Sequence, residues 1–125
     1  MSDTVALRRA LLTLHRVLLE EQRIHAERFG GRMSSSEVLQ AAADDLRFNW
    51  LKGLSSLVAA LDQAQAEEDA AGVAEAVERA RALLDPPDPE TAFGARYLRA
   101  LQESPDVVLA HRDARLALAQ ADPDR

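Results

Sequence analysis

Residues 4–29 carry a leucine repeat that only one kind of secondary structure can use. Leu7, Leu11, Leu14 and Leu18 return at intervals of four and three, and Leu12 and Leu19 widen the same stripe. Arg8, Arg9, Arg16, Glu20, Arg23 and Glu27 fill the positions between them. A helix of 3.6 residues per turn gathers such a series on one face, whereas a strand scatters it over both. No segment of the chain alternates with period two. Only five residues are aromatic, while the abundant Ala, Leu, Arg, Glu and Gln lose little on entering a helix. The sequence predicts an all-α protein.

The punctuation divides the chain into about six helices. Asp3 is placed to cap the first, and Gly30-Gly31 ends it, because glycine takes the left-handed conformation of a helix C-terminus without strain. Ser34 and Glu37 have capping-box spacing and start a short second helix that carries Val38, Leu39, Ala42 and Ala43. Asp44 and Asp45 would face the negative end of its dipole, so it is expected to stop there. Trp50/Leu51, Leu54, Leu57/Val58 and Leu61 lie on one face of a third helix lasting to about Glu68. Gly53 is its one irregularity: either a neighbouring helix crosses closely there, or Phe48-Asn49-Trp50-Leu51 forms a separate, tighter turn.

Residues 69–72 read as a hinge, and Val73, Ala76/Val77, Ala80 and Leu83/Leu84 as a fourth helix. Asp85-Pro86-Pro87-Asp88-Pro89 is a firm break, since proline fixes its own backbone and restricts the residue before it. Asp88 is expected to cap a fifth helix with Pro89 at its first position, lined by Phe93, Tyr97, Leu98 and Leu101. Ser104-Pro105 opens a sixth, with Val107/Val108, His111, Ala114 and Leu118 facing inward. There is no internal repeat or low-complexity linker, so residues 1–120 are expected to form one helical-bundle domain, with 121–125 as a flexible tail.

Charge and composition narrow the function. The net charge is −6, split between +2 for residues 1–32 and −8 for the rest, with six acids and no base from Asp62 to Glu78. Such a chain is repelled by phosphates, so nucleic acid is not an expected partner. The six arginines of residues 1–32 suit a solvated face, an acidic protein, or the chain's own acidic segment. There is no cysteine, which excludes disulfides, thiolate catalysis and thiolate metal sites. No secretory signal is visible, and the longest charge-free apolar run, Gly53 to Leu61, is far too short to span a membrane. A cytoplasmic protein without membrane contact is expected.

Three stretches give the chain a familiar pattern: Leu14-His15-x-x-Leu18-Leu19-x-x-x-Arg23; then Phe48-x-Trp50-Leu51-x-x-Leu54-Ser55-x-Leu57, closing at Asp62; then Tyr97-Leu98-x-x-Leu101-Gln102-x-x-Pro105-Asp106-Val107-Val108-x-x-His111. From about residue 10 to 112 this resembles a group of small all-helical bacterial proteins of uncharacterised function. The resemblance implies the fold and no activity. In that group a proline stands where Gly53 does, which implies a kink or a helix start there and supports the separate turn over residues 48–53.

The residues themselves offer little catalytic machinery. Di-iron bundles use Glu-x-x-His pairs, and none occurs here. Helical nucleotide pyrophosphatases hold Mg²⁺ on carboxylates three apart on facing helices, but Glu20, Glu21 and Glu27 are not so spaced. Glu75 and Glu78 are, within an acidic solvated stretch. Gly53-Leu54-Ser55-Ser56-Leu57 lacks the last glycine of a nucleophile elbow and follows no strand, and no phosphate-binding glycine loop is present. No catalytic residue, metal ligand or cofactor is therefore assigned.

What remains is a short set of ligand or partner candidates: His15, Phe48, Trp50, Ser55 and His111. His15 and His111 each sit on an apolar stripe and could face each other; Ser55 could bond back to a carbonyl or meet His15. Phe48 and Trp50 point to different sides of any helix or turn, so they most economically pack the second helix against the third. The favoured function is a non-enzymatic interaction or regulatory bundle, self-associating through an Ala/Leu helix face. The alternative is a ligand-binding or enzymatic bundle with an inter-helix cavity near His15, Trp50, Ser55 and His111.

Overall fold

The computed structural model describes residues 3–44 and 46–121. Six α-helices follow one another: α1 (Asp3–Gly30), α2 (Ser35–Asp44), α3 (Lys52–Ala66), α4 (Ala70–Leu84), α5 (Ala92–Glu103) and α6 (Pro105–Ala121), with a 3-10 segment, Leu46–Leu51, before α3. No strand occurs among the described residues. The protein is an all-α single-domain bundle. Its longest contacts run between α1 and α6 and between α3 and α4, and α1 also packs on α3. Ala6 and Ala10 lie opposite Ala117 and Gln120, while Val17 and Ile24 lie beside Ser104 and Asp106, so α1 and α6 are antiparallel. No described helix is long and apolar enough to cross a membrane.

The leucine stripe becomes the core. Leu7, Leu11, Leu14 and Leu18 are fully buried against Leu54, Leu57 and Leu61 of α3, Val77 and Leu84 of α4, Tyr97 of α5, and Val107, Ala114 and Leu118 of α6. A smaller cluster of Ala26, Ala41 and Phe48 lies apart from this core, with Leu19 and Met33 packed on it. Phe48 therefore fastens α2 to the C-terminal half of α1. Trp50 packs on the main core instead, so the two rings separate as their spacing demanded, but neither joins α2 to α3. The apolar stripes are also narrower than the sequence suggested: Leu12 of α1, Leu39 of α2 and Val108 of α6 are exposed.

The local start signals hold where they are self-contained. The Ser34 amide donates to Glu37 Oε1 at 2.9 Å and the Glu37 amide to Ser34 Oγ at 3.2 Å, forming the reciprocal capping box. Ser104 Oγ accepts from the Val107 amide at 3.3 Å at the head of α6. Gly31, just past α1, has φ +83°. The stretch before Gly53 is a separate 3-10 turn, and the space where a Gly53 side chain would stand is open, so no helix crosses closely there.

Two boundaries move. The break after α3 falls at 67–69 rather than 69–72, because Glu68 itself takes the left-handed position (φ 54°). The Asp69 amide then reaches the Ala64 carbonyl at 2.8 Å and the Glu68 amide the Gln65 carbonyl at 3.2 Å, which is a Schellman closure made without glycine. Asp69 turns at once into the N-cap of α4, accepting from the Gly72 amide at 3.0 Å. Likewise α5 starts at Ala92 under Thr91, not at Pro89 under Asp88. Thr91 Oγ1 accepts from the Gly94 amide and donates to the Asp88 carbonyl, both at 2.9 Å. Asp88 uses its carboxylate on the Glu90 amide at 2.9 Å, inside the turn.

Asp62, which ends the leucine ladder of α3, meets Arg8 of α1. Arg8 Nε donates to Asp62 Oδ1, and Nη2 to Oδ2 at 3.3 Å. One of the first helix's arginines thus does face the chain's own acidic half. Arg23 is held within α1 by Glu20 and Glu27.

Candidate functional site

The leucine stripe of α1 does not stop at Leu18. One turn later the same face presents Gln22, a polar side chain only 3% exposed. A buried amide must find partners, and Gln22 draws them from two other elements. Its Oε1 accepts from Trp50 Nε1 at 3.0 Å and from Arg96 Nη2 at 2.6 Å. The Arg96 guanidinium lies over the Trp50 ring, 5.5 Å from its centroid, the arrangement of a cation–π contact. Gln22 thus ties the first helix, the 3-10 segment and α5 to one point. Glu21, His25, Arg99 and Glu103 join these residues around a small hollow of about 20 Å³. Partial burial pulls the Arg96 guanidinium pKa down, repulsion from Arg99 adds to that, and Glu103 opposes it.

From Trp50 a row of rings runs inward. Trp50 meets Phe93 with centroids 5.6 Å apart, Phe93 stacks on Tyr97 at 5.2 Å, and Tyr97 meets the edge of His111 at 5.3 Å. The row ends in a hydrogen bond of 2.6 Å between the Tyr97 hydroxyl and His111 Nδ1. Burial pushes the Tyr97 pKa well above its ordinary value. The His111 pKa is lowered, by burial first and then by Arg115, with Asp85 pulling the other way. Both groups are therefore held neutral, and the hydroxyl donates to Nδ1 in the tautomer that carries the ring proton on Nε2.

The five sequence candidates separate in space. Trp50 and His111 sit at opposite ends of the ring row, two rings apart. Phe48 is fully buried in the smaller core. Ser55 is exposed and donates to the Lys52 carbonyl at 3.2 Å, as a helical serine commonly does. His15 is half-buried on α1, its pKa lowered by burial. No hydrogen bond joins His15 to His111 or Ser55 among the described residues. Gln22 and Arg96, which do converge with Trp50, are absent from that set. Gln22 could have been found, because it occupies the next position of the leucine stripe.

A second feature is larger. Between α1 and α6 runs a groove of about 320 Å³ whose floor is Ala6, Ala10, Ala110 and Ala117. Arg9 stands on the α1 wall, Asp113 and Leu116 on the α6 wall. Leu109 and Leu116, one heptad apart on α6, are 51% and 57% exposed. Among the described residues no three His, Asp or Glu side chains converge as metal ligands would. Comparison with known protein families, with curated proteins and with solved structures finds no match to the chain.

Proposed function

We propose that this protein is a non-enzymatic interaction bundle that self-associates through the α1–α6 face. The observation that carries the reading is the alanine-floored groove flanked by exposed Leu116 and Leu109. Small residues let a partner helix approach closely, and a leucine beside them supplies apolar area to bury. The walls favour a second copy as the occupant. Arg9 on one wall and Asp113 on the other are complementary to themselves under a two-fold axis, each meeting the other's counterpart in the second copy. The same reading makes the chain a cytoplasmic bacterial protein, in line with its lack of cysteine and its resemblance to small helical proteins of bacteria.

Sedimentation equilibrium over a wide concentration range tests this. The parent is expected to shift from monomer to dimer. Leu116→Asp and Ala10→Glu are expected to remain monomeric with unchanged helix content. A parent that stays monomeric throughout, or variants that dimerise equally well, would remove the reading.

A further inference from the structure

We propose that the hollow between α1 and α5 is a carboxylate-binding site, with Gln22 and Arg96 as its inner donors, Arg99 at its mouth and Trp50 as its wall. It does not depend on self-association, since it lies on a different face from the α1–α6 groove.

Two donors converge on one atom of the Gln22 amide, from Trp50 at 3.0 Å and Arg96 at 2.6 Å. That atom must be the oxygen, because an amide nitrogen cannot accept either bond. The nitrogen is therefore turned away from both, and it has no acceptor among the described residues although Gln22 is 97% buried. That nitrogen keeps some contact with solvent rather than being sealed in the core, so it is a donor that a ligand can reach. Gln22 lines the hollow, so an acceptor reaches it from there.

Arg96 makes the same demand with charge. A guanidinium offers five N–H donors, and Arg96 places one on the neutral Gln22 oxygen. No carboxylate lies within ion-pair distance of it among the described residues. Its neighbours are an aromatic face, a second arginine, and Glu103, which only partly offsets that arginine's repulsion. A half-buried cation so placed attracts an anion, and a planar carboxylate matches the guanidinium fork.

Size and rim charge choose among anions. A space of about 20 Å³ holds one oxygen-sized atom. One carboxylate oxygen fits inside, with the rest of the group at the mouth between Arg96 and Arg99. Glu21 and Glu103 also stand on the rim, and they repel a phosphate dianion more than a monoanion. The ligand class is a monocarboxylate, either a small acid or the carboxylate terminus of a peptide.

Trp50 is the chain's only tryptophan and reports on the site directly. The test is a fluorescence titration of the whole protein with sodium acetate at constant ionic strength and neutral pH, chloride being exchanged for acetate. A saturable change with a dissociation constant on the order of 1–10 mM is expected. Inorganic phosphate should bind more weakly. Arg96→Gln should weaken acetate binding by about 10-fold or more, the loss of a charge-assisted bond. Arg99→Gln, at an exposed position, should fold normally and weaken binding by about 3-fold. A short peptide with a free C-terminus, set against its amidated form, tells a peptide source from a small acid: preference for the free-ended peptide over acetate assigns the first, equal or weaker binding the second. A parent without saturable response, variants with unchanged affinity, or phosphate binding tighter than acetate would overturn the proposal.

Discussion

The Tyr97–His111 pair is the most exposed to a quantitative test, because its two partners are buried unequally. Tyr97 is fully buried and His111 only partly. Removing the phenol in Tyr97→Phe leaves an imidazole nitrogen that water can reach, so the loss is that of an ordinary hydrogen bond, about 0.5–1.5 kcal/mol. Removing the imidazole in His111→Leu strands the hydroxyl in the core with no acceptor, at about 1–3 kcal/mol. The double variant Tyr97→Phe/His111→Leu leaves no polar group behind and should cost less than the two single changes added together. With 125 residues, each kcal/mol corresponds to roughly 4 °C in Tm. Urea unfolding at pH 7.5, followed by circular dichroism, gives all three free energies. Strict additivity, or a His111→Leu variant milder than Tyr97→Phe, would refute this account of the pair.

Three further outcomes are expected. His15 and His111 both have pKa values held below 6.5 by burial, so the unfolded chain binds protons that the folded chain refuses. Stability should be at its full value above about pH 6.5 and fall as pH drops below it, levelling only under the folded pKa values; a flat profile from pH 7 to 5 would contradict this. Gly53 and Gly94 should respond oppositely to alanine. Gly53→Ala enters open space in a helix and should gain about 0.5–1 kcal/mol. At Gly94 a Cβ would fall 1.8 Å from the Asp88 carbonyl oxygen, and forcing the turn apart should cost about 1–3 kcal/mol or more in thermal unfolding. Finally, Glu68→Gly should raise stability by about 1 kcal/mol, since φ 54° is unfavourable for a residue with a side chain; a decrease in the urea midpoint would show that Glu68 contributes something its conformation does not reveal.

What the sequence revealed depended on how far apart the partners lie. Ser34 and Glu37 are three residues apart, and the box they form could be read directly. The same holds for Ser104 at α6 and for the leucines of α1, whose burial follows from spacing alone. Thr91 was passed over for Asp88 because both are good capping residues. The difference lies in the turn itself: Asp88 spends its carboxylate on the Glu90 amide and its carbonyl on Thr91, which leaves Thr91 at the head of the helix. Glu68 was missed because a left-handed glutamate closing a helix has no compositional mark. The site was least legible of all. Gln22 and Arg96 are 74 residues apart, and nothing local to either says that they meet. Trp50 stands out by its rarity, but its neighbours are set by the fold alone.

The pairing of α1 with α6 bears on how the chain comes to be folded at all. The α1 helix finds its most extensive partner in α6, the most distant of the described helices along the chain. While residues 31–121 are still being made, the Leu7–Leu18 stripe waits for its cover, and at ordinary rates of synthesis that interval is roughly 5–20 s. Once made, α3 can shield part of the stripe, because it packs on α1 directly. The side that belongs to α6 stays open until Val107, Ala114 and Leu118 arrive. The bundle is therefore closed like a clasp by α6. A ribosome stalled before α6 would hold a chain with helices but an unfinished core, a species for chaperones rather than for function.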